Sequence, residues 1–150
     1  MELALRTSRH PCVDPQAVGR CVGWQYEVVV SPRRPPPPPY RTVTPRIFVG
    51  DVDKAVAFLR AVFDATGNIE PGRPTDVHIG DSIVLVASAS ERAAFPAFLY
   101  VYVDDADATH HRAIEAGAES LEEPLDTPYG DRRAMFRDQF GNVYQVAHRR

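Results

Sequence analysis

Hydrophobic positions along the chain alternate between two spacings from Thr42 onward. Thr42–Val49 predicts a strand. Val52, Ala55, Val56, Leu59, Val62 and Phe63 then recur at helical spacing and predict one amphipathic helix. Asp51 suits the N-cap of that helix, Asp53 its positive dipole end, and Gly67 its C-terminal stop. Val77–Ile79 and Ser82–Ala87 predict two strands around a turn at Gly80-Asp81. The pattern then restarts. Pro96–Val103 (PAFLYVYV) alternates aromatic and β-branched residues and predicts a strand. Asp104 or Asp105 caps a second helix, which runs through Ala113 and Ile114 and stops at Gly117. A long loop follows, with turn residues Pro124, Pro128, Tyr129 and Gly130. Arg133–Arg137 and Val143–Ala147 predict the last strands, joined at Phe140-Gly141-Asn142.

The two halves resemble each other. Phe48–Asp53 lies over Tyr102–Asp107 at an offset of 54, each a strand end, a D-x-D and a helix. Ile79–Val86 lies over Phe140–Ala147 at an offset of 61, each a turn entering a strand. The expected fold is therefore α+β: tandem βαβββ units forming one curved mixed sheet, helices outside, with a cleft on the opposite face. A half of about 50 residues buries too little surface to stand alone.

Strand alternation assigns side chains to the cleft. Ile47 and Val49 belong under the first helix, which turns Thr44, Arg46 and Phe48 to the cleft. Leu99, Val101 and Val103 belong under the second helix, which turns Phe98, Tyr100 and Tyr102 inward. Tyr144 and Val146 pack under the helices, leaving Val143, Gln145 and Ala147 in the cleft, and the repeat maps Val84 onto Gln145. The expected pocket is aromatic with one cation and one amide: Arg46, Phe48, Phe98, Tyr100, Tyr102 and Gln145. The competing expectation is that the tyrosines fill the face or form a homodimer contact.

Composition narrows the function classes. A formal net charge of −3 disfavours a nucleic-acid partner. No apolar stretch approaches the ~20 residues that span a bilayer, and Met1–Val13 lacks the apolar run of a signal peptide. A cytoplasmic location and no membrane partner are expected. Cys12 and Cys21 match no zinc spacing and are expected as ordinary thiols. Residues 1–41 predict a Pro-rich, loosely docked or disordered extension, and residues 42–150 the domain. Within the extension only Cys21–Val30 is strand-like, Trp24 is the sole tryptophan, and Pro35–Pro39 predicts a polyproline II rod. Arg33, Pro36 and Pro39 fit an RxxPxxP spacing that SH3-type modules bind; a plain linker is the alternative.

The segment Tyr100–His148 resembles the C-terminal half of vicinal-oxygen-chelate proteins, in the glyoxalase/bleomycin-resistance branch with PhnB-like sequences. The matching marks are YVDDAD before a helix, AGA at its end, YGDR in the loop and RDQFGN before the last strand. Residues 43–67 and 77–88 resemble the first half. Metalloenzymes of the family carry one ligand on the first and last strand of each half. Those places fall here on Thr44, Val84, Phe98 and Gln145, a poor set for a divalent ion, so no metal and no other cofactor is expected. Resistance-type relatives imply a homodimer whose clefts are completed by the partner.

Other chemistry is sparse. His110 and His111 are adjacent on the second helix, about 100° apart, and are expected on its partly exposed surface. His78 and His148 are candidates for proton carriers at the cleft rim, and His10 lies in the extension. Asp51, Asp53, Asp105 and Asp107 fit helix caps better than a carboxylate cluster. Glu122, Glu123 and Asp126 predict a solvated run, in a loop (Glu122–Arg133) that is a candidate lid. No Ser-His-Asp arrangement or P-loop is visible. The expected function is metal-independent binding of a small aromatic or polar molecule, with stacking on Phe48, Phe98, Tyr100 and Tyr102. Arg46 would pair with an anionic or polar group, and Gln145 would orient the ligand. The alternatives are a divergent lyase, isomerase or dioxygenase of the same superfamily, and an interaction module using the Pro-rich segment.

Overall fold

The computed structural model describes residues 36–90 and 92–150. Expectations for His10, Cys12, Cys21, Trp24, Cys21–Val30 and Arg33 lie outside the described residues. Two units follow one another in chain order. The first is β1 (Arg46–Val49), α1 (Val52–Phe63), β2 (Thr75–Ile79) and β3 (Ser82–Ser88). The second is β4 (Phe98–Tyr102), α2 (Ala106–Glu115), β5 (Glu119–Asp126), β6 (Asp131–Arg137) and β7 (Val143–Arg149).

The strands form two open mixed sheets, where one continuous curved sheet was expected. Their orders are β1-β3-β2 and β4-β7-β6-β5, with β1–β3 and β4–β7 parallel. The architecture is the expected α+β repeat. In the second unit all four strands are present. In the first, the strand after the helix is reduced to one bridge, in which Thr66 and His78 exchange backbone hydrogen bonds of 3.0 and 2.8 Å.

Helix ends follow local chemistry. Asp51 has extended backbone and its carboxylate accepts from the Lys54 N–H at 3.0 Å; Asp105 does the same for Ala108. Gly117 is left-handed, and the Ala118 N–H reaches the Ala113 carbonyl at 2.9 Å, closing α2 as expected. The first helix stops earlier than expected, at Asp64, whose φ is 53°. A short polar side chain tolerates that conformation, so Gly67 is not the stop.

One core spans both units. Ala55, Val56, Leu59 and Val62 of α1 join Ile47, Val49, Val77 and Val86 of the first sheet. Phe58 and Phe63 put their rings 5.6–6.4 Å from Phe136 and Tyr144 of the second sheet. Arg112 of α2 donates through Nε and Nη2 to the Val62 carbonyl at 3.1 and 2.9 Å, capping the end of α1. On the helix-facing side of β6, Arg132 clasps Asp107 of α2 at 2.7 and 2.8 Å.

Those Arg132 hydrogen bonds hold the Asp107 carboxyl below its usual range. A lowered folded pKa favours the native state above the unfolded value and loses that contribution as pH falls through the folded one. The wild type is therefore expected to lose stability in urea titrations as pH drops below about 4. Asp107→Asn removes part of that loss, and an identical pH dependence in the variant contradicts it. Solvent screening keeps the effect modest, since Asp107 is half exposed.

Two further expectations change. The end of the proline run, at residues 38–39, is a turn closed by the Tyr40 N–H on the Pro37 carbonyl at 3.1 Å, not a rod. The loop read as a lid is mostly strand: β5 pairs with β6, leaving residues 127–130 as the turn. Its irregular register hid it, because bulges between Ser120 and Glu122 and between Glu122 and Leu125 break the two-residue period.

Candidate functional site

On the second sheet, Leu99, Val101, Ala134, Phe136, Tyr144 and Val146 pack into the core. Alternation turns their neighbours to the opposite face. Phe98, Tyr100 and Tyr102 stand there in a row on β4, 60%, 43% and 65% exposed. The Tyr100 and Tyr102 rings are 5.3 Å apart. Strand register sets Phe98 beside Val143, Tyr100 beside Gln145 and Tyr102 beside Ala147. The next strand adds Arg137, Met135 and Arg133 opposite those three. The bulges of β5 bring Glu119 and Glu122 to the same face. The face thus grades from aromatic on β4 to ionic on β5.

The polar end is well built. Arg133 gives Nε and Nη2 to the two Glu122 oxygens at 2.8 and 3.0 Å, in bidentate geometry. Its Nη1 donates to the Tyr129 hydroxyl at 3.0 Å. The hydrogen-bond pattern assigns the Gln145 amide oxygen to the Arg133 side, 3.0 Å from Nε. Glu122, Arg133 and Tyr129 therefore join the candidate site residues, and strand alternation on β4 and β7 alone did not reveal them. Their signal was present on β6, where Ala134 and Phe136 alternate with Arg133 and Met135. Of the run Glu122, Glu123 and Asp126, Glu122 is half-buried against Arg133, while Glu123 and Asp126 are exposed, Asp126 beside Arg132 and Arg150 at 3.1 and 2.7 Å. Burial of the Tyr100 phenol, followed by the nearby Tyr102, raises its pKa above the usual tyrosine value, so it is a donor at neutral pH.

Arg46 and Phe48 are on the other sheet. The Arg46 guanidinium carbon is 4.9 Å from the centre of the Phe48 ring. Phe48 is 8% exposed and lies 6.1 Å from Phe95. The expected set thus divides in two: Arg46 with Phe48, and Phe98, Tyr100 and Tyr102 with Gln145. No strand pairing joins the two groups, because β1 and β4 belong to different sheets.

Val84 does not face away from the helices. It belongs to the core and pairs with Val77. Strand pairing sets Phe48 beside Ala87 as it sets Tyr102 beside Ala147, so Leu85 answers Gln145. The sequence overlay is one residue out because the turns differ. Ile79 and Ser82 flank a two-residue turn, whereas Arg137 and Val143 flank residues 138–142. Corrected, the four family ligand places hold Thr44, Leu85, Phe98 and Gln145. The Thr44 hydroxyl donates to the Arg41 carbonyl, two places are hydrocarbon, and the Gln145 amide meets Arg133. This donor set does not fit a divalent ion. Among the described residues, no three His, Cys, Asp or Glu side chains converge as a metal site.

The histidines among the described residues have structural partners. His148 Nδ1 accepts the Ala106 N–H at 2.9 Å and caps α2. His110 is buried, not on the partly exposed surface expected of it, with Nε2 2.9 Å from the Ser120 hydroxyl. His111 is exposed beside Glu115 at 3.4 Å, and the His78 backbone carries the bridge to Thr66. A recess of about 450 Å³ opens elsewhere, beside Val52, Ile69, Arg73, Thr75, Ser88 and Ser90. It includes none of the predicted site residues. Its Arg73 and Ser88 are already engaged, with Glu70 and Ser90. No helix among the described residues is long and apolar enough to cross a membrane.

A model of the Glyoxalase/Bleomycin resistance protein/Dioxygenase superfamily matches residues 41–146. No curated protein matches the sequence. Among solved structures, TioX from Micromonospora sp. ML1 is similar at 25% identity and a TM-score of 0.63, over 71% of this chain and 97% of that one. A glyoxalase/bleomycin resistance protein/dioxygenase family enzyme from Burkholderia phytofirmans PsJN is similar at 22% identity and 0.61, over 71% and 97%. Lactoylglutathione lyase from Agrobacterium tumefaciens is similar at 22% identity and 0.59, over 74% and 95%. At 22% the likeness is one of fold, which hosts several chemistries.

Proposed function

This chain belongs to the glyoxalase/bleomycin resistance protein/dioxygenase superfamily, and from that premise we propose that it binds a small aromatic molecule without a metal ion. The observation that carries this reading is the row Phe98, Tyr100 and Tyr102, exposed on a sheet face that ends in the ordered Gln145–Arg133–Glu122 cluster. Rings offer stacking area and the cluster offers fixed polar groups, the combination that small-molecule sites use. The role is sequestration in the cytoplasm. The protein acts as a homodimer in which a second copy walls the aromatic row. Among the described residues β1 and β4 are the outer strands of their sheets, which supports such an assembly.

Elemental analysis before and after chelation tests the metal-free part. The expected result is well under one equivalent of metal per chain and an unchanged melting temperature. Near one equivalent, lost on chelation together with stability, overturns it. Calorimetric titration with a panel of aromatic compounds tests the site. Tyr100→Ala and Tyr102→Ala are each expected to weaken binding about tenfold. Binding unchanged in both variants moves the site away from this face.

A further inference from the structure

We propose that Glu122 is a specificity-determining residue that restricts this face to uncharged planar aromatic ligands and rejects anions. The inference rests on the small-molecule reading above and deepens it. Charges on the face come in pairs. Arg133 meets Glu122 at 2.8 Å, Arg137 meets Glu119 at 2.9 Å, and Arg149 meets Asp131 at 3.0 Å. The three cations among these residues thus each carry a carboxylate of the same face.

The Arg133 pair is the one nearest the centre. It lies beside Met135 and Gln145, and both of its side chains are only 23% exposed. Arg133 has five N–H donors in a planar fork. Glu122 takes the Nε and Nη2 edge, one of the two edges through which a guanidinium pairs a carboxylate in bidentate fashion. Tyr129 takes Nη1. An anionic ligand must therefore displace a carboxylate already held in place, or take the remaining Nη N–H groups of a cation whose charge Glu122 already balances. An uncharged ring meets neither obstacle. It stacks on Tyr100 and Tyr102 and uses the tyrosine hydroxyls and the Gln145 amide for hydrogen bonds.

Arg46 does not alter this balance for the second sheet, because it stands over Phe48 on the first. The expectation that a cation of the site pairs with an anionic group is replaced on this face by its opposite. Neutralisation is built in by Glu122, which β5 presents on this face because of the bulge between Ser120 and Glu122.

The test compares two probes of equal shape, naphthalene-2-carboxamide and naphthalene-2-carboxylate, by calorimetric titration of the full chain. The wild type is expected to bind the amide at least tenfold more tightly than the carboxylate. Glu122→Gln keeps the shape and releases the Arg133 edge, so the carboxylate is expected to gain about tenfold while the amide changes little. Arg133→Met is expected to abolish that gain when combined with Glu122→Gln. Equal affinity of the wild type for both probes overturns the inference without any variant. An unchanged preference in folded Glu122→Gln also overturns it. If the wild type and Glu122→Gln bind neither probe, the aromatic-site reading falls and takes this inference with it. If the amide binds but no preference exists, the site stands and only the role of Glu122 falls.

Discussion

Asp138→Ala is expected to destabilise the domain by about 3–5 kcal/mol, lowering the melting temperature by about 10 °C or more. Asp138 is 5% exposed and sits in the turn between β6 and β7. Its Oδ1 accepts from the Phe140 and Asn142 backbone N–H groups at 2.8 and 2.9 Å. Its Oδ2 accepts from the Asn142 side-chain amide at 2.9 Å and the Tyr144 hydroxyl at 3.2 Å. Asn142 in turn accepts the Ala97 N–H at 3.1 Å, which ties the turn to the start of β4. Removing the carboxylate leaves these donors without partners in a place water does not reach. Burial, followed by the neighbouring Asp138, pushes the Tyr144 phenol well above its usual pKa, so that group remains a donor needing an acceptor. Asp138→Asn retains one acceptor oxygen and is expected to cost roughly half as much. Urea unfolding of the three proteins measures both values. A cost below about 1 kcal/mol for the alanine variant would show that the network relaxes or hydrates.

Gly67→Ala is expected to cost about 2–4 kcal/mol. Gly67 has φ of 143°, and a β-carbon there would lie 2.2 Å from the Asp76 carbonyl oxygen of β2. Neither backbone can give way easily, because Thr66 and His78, next to the approach, exchange two backbone hydrogen bonds. Gly72→Ala is the control. Gly72 also has positive φ, 78°, but an added β-carbon would meet nothing within 4 Å. Its expected cost is about 1 kcal/mol, the conformational part alone. Equal losses in the two variants would mean that backbone conformation, and not the close approach to β2, makes Gly67 necessary.

Much of the fold was legible in the sequence, where local chemistry and alternation agree. Asp51 and Asp105 cap as their residue type predicts, and Ile47, Val49, Tyr144 and Val146 face the core as the two-residue period requires. What was hidden depended on long-range pairing or on broken periods. β5 contains Pro124, four acidic residues and two bulges, so its pattern reads as a loop until β6 is beside it. Val84 was misassigned because glycine turns look alike in sequence while differing in length. The RDQFGN motif that marks the resemblance turns out to be structural: its Asp and Asn build the buried turn rather than the face. Arg133 and Glu122 were read apart, one in a strand and one in a loop, because only the β5–β6 register brings them together.

The Arg112 clasp on the last turn of α1, together with rings of α1 lodged against Phe136 and Tyr144, means that duplication here has not left two independent modules. Each repeat finishes its interior with parts of the other. Heat or denaturant therefore meets a single cooperative object, and a lesion in either repeat is shared by both. Sequence drift is constrained accordingly: the outward faces are free to diverge separately, as the unlike Arg46–Phe48 and Tyr100–Tyr102 faces already have, while the inward faces must change together.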